Sequence, residues 1–174
     1  VPVAIVGMAM RLPGGVTNAS DFWELLINKR DGLCRVPGNR YNIDAFYHCD
    51  GVPGTIRTEH GYFLQQDIAQ MDTGFFSMSK VEASKLDPQQ RLLLEVVWEC
   101  MENAGQTHWQ GTNMGCYVGN FGEDWLDLAS KDTLAIDRYR VMGTGDFALT
   151  NNVSYQYDLR GPSVVFRTGY LSSI

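Results

Sequence analysis

Short apolar runs set between glycine-bearing turns, with stretches of helical period among them, organise this chain. Val3-Ala-Ile-Val-Gly7 is apolar without alternation and stops at glycine, the pattern of a strand buried on both faces. Arg11-Leu-Pro-Gly-Gly15 turns the chain. Polar capping residues Asn18 to Ser20 then precede Asp21-Phe-Trp-Glu24, where an acid followed three positions later by glutamate can satisfy the free amides of a first turn. Phe22, Leu25 and Leu26 give that short helix one apolar stripe, ending near Lys29 and Arg30. Residues 31 to 60 show no period. They read as a long packed loop anchored by Tyr41, Phe46 and Tyr47, because a solvated linker would lack such aromatics. Gly61-Tyr-Phe-Leu64 predicts a brief strand, and Ser79-Lys-Val-Glu82 a capping box opening another short helix.

The best-signalled element runs from Asp87 to Gly105. Asp87 is a natural N-cap, Pro88 suits the first helical position, Gln90 would complete the box, and Gly105 fits the left-handed residue that closes a helix. Leu92, Leu93, Val96, Val97, Cys100, Met101 and Ala104 cover so broad a face that the helix is expected to be sandwiched. Further on, Gly115 to Asn120 predicts a strand, Asp124 to Tyr139 a helix, and Phe147 to Thr150 a helical turn. Val153 to Tyr157 fits either a helix end or a strand, and Pro162 to Thr168 is a last strand. Strands alternating with helices indicate an α/β layered fold with a mostly buried sheet, and no internal repeat is visible.

Composition narrows the class. The chain has 174 residues, 44% of them hydrophobic, and a net charge of -6 without a basic run, which argues against nucleic acid or an anionic membrane as partner. No stretch approaches the roughly 20 apolar residues of a membrane span, and the start does not read as a signal peptide, so a cytoplasmic location is expected. Cys34, Cys49, Cys100 and Cys116 form no C-x-x-C pair and are expected to be reduced packing residues. His48, His60 and His108 lack metal-ligand spacing.

Two motifs invite chemistry and yield to simpler readings. Gly143-Thr-Gly145-Asp-Phe-Ala148 has the form of a dinucleotide loop, but Arg138 to Met142 is a poor strand to precede it, and no long helix follows. Glu123, Asp124 and Asp127 beside Trp125 could act as paired acid and base. A helix start, where acids meet the positive end of the macrodipole, is the more economical account.

Gly161-Pro-Ser-Val-Val-Phe-Arg-Thr-Gly169, followed by Tyr170-Leu-Ser-Ser-Ile174, resembles the place where β-ketoacyl synthases carry a nucleophilic cysteine, in a pattern close to Gly-Pro-Ser…Asp-Thr-Ala-Cys-Ser-Ser-Ser-Leu. Other blocks agree in order. Val3 to Gly14, Phe22 to Leu26, Val36-Pro-Gly-Asn-Arg40, Gly61 to Phe76, Leu86-Asp-Pro-Gln-Gln-Arg-Leu-Leu-Leu-Glu95, Asn152-Val-Ser-Tyr155 and Asp158 to Ser163 are all similar to type I ketosynthases. Gly115 to Trp125 most resembles the iterative, highly reducing polyketide synthases of filamentous fungi.

The resemblance implies the N-terminal half of a thiolase-like αβαβα fold. Residues 1–174 would form one incomplete domain, family-like through 169 and divergent in 170–174. It implies decarboxylative condensation of acyl and malonyl thioesters carried on the phosphopantetheine of an acyl carrier protein, with no cofactor bound directly. It also implies a homodimer formed through the strand Pro162, Ser163, Val164, Val165, Phe166, Arg167 and Thr168.

Tyr170 holds the place of the nucleophilic cysteine. A phenol, with an ordinary pKa near 10, is ionised in only about one copy in a thousand at neutral pH. The two histidines that stabilise the enolate in the family lie well beyond the cysteine, and His48, His60 and His108 do not match them. The chain is therefore expected to be an incomplete, inactive copy with one sheet face uncovered, its tail explicable as translated intron. The alternative is a non-catalytic scaffold for a complete ketosynthase.

Overall fold

The structure is a computed structural model describing residues 2–131, 134 and 138–172. It divides into two compact units, one of Met8–Asp67 and one of Val1–Gly7 with Ile68–Ile174.

In the first unit, α1 (Ala19–Ile27) begins at Asn18, whose side chain accepts from the Asp21 N–H at 3.0 Å, while Asp21 Oδ2 accepts from the Thr17 N–H at 3.2 Å. The cap therefore falls on the first of the expected capping residues, Asn18 to Ser20, and Glu24 takes no part in it. Glu24 instead accepts from Asn28 at the helix end. Residues 31 to 60 are less irregular than expected. β1 (Leu33–Arg35) pairs antiparallel with β2 (His60–Tyr62) in the register Cys34↔Gly61, and Arg35 Nε donates to Glu59 Oε2 at 3.0 Å. The loop's anchor is Ile43, 2% exposed, in the 3₁₀ turn Ile43–Ala45. Tyr41, Phe46 and Tyr47 remain substantially exposed. The brief strand expected at Gly61 to Leu64 is observed as β2, one residue earlier, whereas β1 carries too little alternation in three residues to be read from sequence.

In the second unit, Ser79 and Asp87 cap α2 (Lys80–Lys85) and α3 (Pro88–Asn103) as expected, and Gly105 takes φ +64 beyond the end of α3. Every residue of α3 from Arg91 to Met101 is buried or half-buried, as a sandwiched helix requires. Its most deeply buried apolar residue is Leu94, which the expected face omitted. Gln90 does not complete the capping box, for its side chain is spent on distant partners. It donates to Met142 O at 2.9 Å and accepts from Asn152 at 2.7 Å.

β3 (Cys116–Gly119) lies parallel to β4 (Ser163–Phe166), with α6 (Ala148–Gln156) packed on the pair and α3 packed on α6. Helix α6 runs through Val153, so the strand alternative there is wrong. Val153 is 1% exposed and joins Phe76, Leu94, Trp109, Tyr157 and Leu159 in the core. Trp98 meets Trp109 edge-on at 5.4 Å, and Tyr157 donates its hydroxyl to Leu94 O at 2.6 Å. The helix expected over 124 to 139 is observed as α4 (Asp124–Ser130), and α5 (Arg140–Thr144) follows; residues 132, 133 and 135–137 lie outside the described residues.

Val3 to Gly7 is not a strand. Val3, Ile5 and Val6 are exposed, and no strand lies beside them among the described residues. An apolar run becomes a strand only where a neighbour takes up its backbone hydrogen bonds. Gly7 instead passes against the end of α3, where a Cβ would lie 2.6 Å from Cys100 O.

Candidate functional site

The end of β4 is where the sequence placed its chemistry, and its geometry is built by backbone pairing on one side and a tight turn on the other. Before the strand, Gly161 runs so close to Met114 that a Cβ would sit 2.5 Å from its carbonyl, which requires glycine there. The strand pair then runs from Cys116↔Ser163 to Gly119↔Phe166, continued by the Asn120 N–H donating to Phe166 O at 2.9 Å.

After the strand, Gly169 takes φ +66, a left-handed conformation costly for residues with a Cβ, and opens the 3₁₀ turn Gly169–Leu171. Ser172 closes this turn twice. Its Oγ accepts from the Thr168 N–H at 2.9 Å and donates to Gly169 O at 2.8 Å. The arrangement presents Tyr170 at 90% exposure, its ring 5.1 Å from that of Phe121. Residues 173 and 174 of the expected divergent tail lie outside the described residues.

Charge gathers beside the turn. Arg167 pairs with Glu123 and reaches Asp146 Oδ2 at 3.5 Å. The Arg167 hydrogen bond holds the Glu123 carboxyl below its ordinary value, and Glu123 in turn raises the guanidinium. The acidic cluster thus serves a helix start and an ion pair: Asp124 and Asp127 lie in the first turn of α4, and Glu123 is its cap residue. Nothing in the sequence near Glu123 points to Arg167, because the two are 44 residues apart.

One face of the strand pair is uncovered among the described residues. Tyr117 and Phe166 stack on it with ring centroids 6.3 Å apart, and both are exposed. Phe166 sits opposite Gly119 in the strand register.

Other candidates resolve simply. Gly143 lies within α5 and Gly145 caps it, so the strand that a dinucleotide loop needs is replaced by helix. His48, Cys49 and Asp50 bring ligand atoms within 4.8 Å of one another, but they are consecutive and exposed. Cys34, Cys49, Cys100 and Cys116 are all free thiols, and burial raises the pKa of Cys116. A recess of about 700 Å³ is lined by Phe76, Met78, Glu82, Met142, Asn152 and Tyr155. No helix among the described residues is long and apolar enough to cross a membrane.

A parallel strand pair backed by helices and ending in a glycine-opened turn defines an α/β protein, and comparison with known proteins makes the assignment specific. The whole chain, residues 1–174, matches the family described as beta-ketoacyl synthase, N-terminal domain. A highly reducing polyketide synthase of Purpureocillium lilacinum is 59% identical over 171 residues, covering 98% of this chain and 7% of that protein. Another, from Glarea lozoyensis, is 56% identical over 175 residues, covering 99% of this chain and again 7% of the relative.

Among solved structures, the oxazolomycin ketosynthase domain of Streptomyces albus superposes with a TM-score of 0.79 at 33% identity, covering 94% of this chain and 29% of that one. The ketosynthase from module 6 of the bacillaene synthase of Bacillus subtilis gives 0.75 at 27% identity, covering 95% and 26%. The chain belongs to the β-ketoacyl synthase family. It spans a small part of its curated relatives and less than a third of the solved ketosynthases.

Proposed function

We propose that this chain is the N-terminal part of the ketosynthase domain of a fungal highly reducing polyketide synthase. The chemistry of such a domain is decarboxylative condensation. An acyl group moves from a phosphopantetheine thioester on an acyl carrier domain to an enzyme cysteine and is then joined to the carbanion left when a malonyl thioester loses carbon dioxide. Such chemistry needs a thiolate in a polarising turn and donors for the thioester oxyanion. In this reading phosphopantetheine belongs to the carrier, and the chain binds no cofactor of its own.

The observation that carries the reading is the turn after β4. Gly169 at φ +66 lifts residue 170 into solvent at the end of a parallel strand, the place the family resemblance gives to the nucleophile. That residue is Tyr170, whose phenol offers no thioester exchange, so the chain by itself is inactive in condensation. Pro162 to Thr168 is the strand for pairing across a dimer axis. β4 is hydrogen-bonded to β3 along one edge, and its other edge carries no strand among the described residues. The same open edge supports a second reading, a non-catalytic partner of a complete ketosynthase.

The test is the transcript across codons 169 and 170, with affinity capture of the chain from the same cells. A spliced form that restores cysteine and continues into the downstream histidines supports the first reading. A transcript that keeps Tyr170 in every copy, together with recovery of a complete ketosynthase on the captured chain, supports the second and removes the first.

A further inference from the structure

The Asn120–Glu123 segment between β3 and α4 grips the end of β4 and the turn after it at three levels. Asn120, 6% exposed, donates its backbone N–H to Phe166 O at 2.9 Å. Glu123 takes the guanidinium of Arg167. Phe121 lays its ring 5.1 Å from the ring of Tyr170. Strand pairing ends at Phe166; beyond it the turn is closed on itself by Ser172 and is tied to the β3–α4 segment by side chains. Gly169 adds freedom there, because glycine restricts its own backbone least.

Arg167 is the one charged residue between the last paired position and Tyr170. Its partners come from two separate elements: Glu123 at the cap of α4, and Asp146 in the link between α5 and α6. Both carboxylates face the same guanidinium nitrogen, Nη1, with Asp146 Oδ2 at 3.5 Å; an ammonium would supply the charge without the rigid planar group that holds this nitrogen in place.

We infer that Arg167 is a positioning residue for the side chain at position 170, acting through Glu123 and Asp146 to fix the turn that presents it. The significance for thioester chemistry rests on the ketosynthase reading; the geometric claim does not. In the complete domain the same clamp would hold the nucleophile's turn against the β3–α4 loop.

The test uses the full 174-residue chain as wild type, Arg167→Gln, Glu123→Gln and Arg167→Lys, with nuclear Overhauser contacts as the readout. The expected result is a Phe121–Tyr170 ring contact in wild type, its loss in Arg167→Gln and in Glu123→Gln, and partial retention in Arg167→Lys. The cross-strand contact between Cys116 and Ser163 is expected to persist in all four. A ring contact that is absent from wild type, or that survives at full strength in Arg167→Gln, overturns the inference. So does loss of the ring and cross-strand contacts together, which would make Arg167 a support of the sheet instead.

A second arm places Tyr170→Cys in each background and follows iodoacetamide labelling of that cysteine by peptide mass, with Cys116 as internal reference. A change at position 170 relative to Cys116 on Arg167→Gln is expected, and an unchanged ratio counts against the inference. Neither arm reads acyl transfer, so failure of the ketosynthase reading would leave both results standing.

Discussion

Asn152 donates its side-chain amide to Gln90 Oε1 at 2.7 Å, joining α6 to the first turn of α3 across 62 residues of sequence. Gln90 is 2% exposed, and its own amide donates to Met142 O at 2.9 Å and more weakly to Gly143 O at 3.3 Å. One side chain thus ties together α3, α5 and α6, the helices behind and beside the β3–β4 pair.

Replacing that amide should be costly in a way that depends on chemistry. Gln90→Met keeps the volume but strands the Asn152 amide and the Met142 carbonyl, an expected loss of about 2 kcal/mol. Gln90→Glu aims a carboxylate at two carbonyl oxygens and should lose more at pH 7, recovering part of it at acid pH, where the protonated group donates again. Urea midpoints of both variants at pH 7 and pH 5 check this. Equal midpoints for the two variants at pH 7 would refute the donor role of Gln90.

Gly143 is fixed by proximity. A Cβ there would lie 2.4 Å from Lys85 O, and the Gly143 carbonyl accepts the Asp87 N–H at 2.8 Å, immediately before α3. Gly143→Ala must push two backbones apart, with an expected loss of about 1–3 kcal/mol. Gly105→Ala has open space and only its φ of +64 to resist it, about 1 kcal/mol. Thermal unfolding of both variants should place Gly143→Ala clearly lower, and the reverse order would contradict the packing argument.

These contacts mark what the sequence could reveal and what it could not. Caps are local, so Ser79, Asp87, Pro88 and Gly105 announce their helices within a few residues, and the β3 and β4 runs are apolar enough to be read. That Tyr170 follows the end of a strand could be read as well, because the apolar run and Gly169 immediately precede it. Gln90 looked like part of a capping box since its sequence position fits one, but a side chain makes its bonds where the fold brings partners, and those lie near residues 142 and 152. Val3 to Gly7 erred the other way: its composition suits a strand, but pairing depends on a neighbour that composition cannot supply. The Glu123–Arg167 clamp and the β1–β2 pair were hidden for the same reason, sequence separation.

Tyr157 gives a pH dependence with a definite sign. Burial first, and the nearby Glu95 charge second, push its phenol well above the ordinary value near 10. Folding therefore favours the neutral phenol. Its contribution is complete below about pH 10 and is lost as pH rises through the raised native value, because the unfolded chain ionises first. Tyr157→Phe removes the bond to Leu94 O and should cost about 1 kcal/mol at pH 7. It should also flatten the alkaline fall in stability. Urea midpoints between pH 7 and pH 11 that fall in parallel for wild type and Tyr157→Phe would assign the alkaline loss to another group.

Tyr117 and Phe166 expose a stacked aromatic pair on a sheet face that nothing covers among the described residues, and contiguous apolar surface of this kind drives association. The free edge of β4 offers a different route, through backbone hydrogen bonds. The two separate by substitution. Tyr117→Thr with Phe166→Thr keeps residues that favour strands and leaves the edge intact while removing the apolar face. Sedimentation across a concentration series should show association of the wild-type chain and a marked shift toward monomer in the double variant. Self-association that persists undiminished would move the contact from the face to the edge, and so to the Pro162–Thr168 strand. Cross-linking in the double variant should then join residues 162 to 168 of two copies.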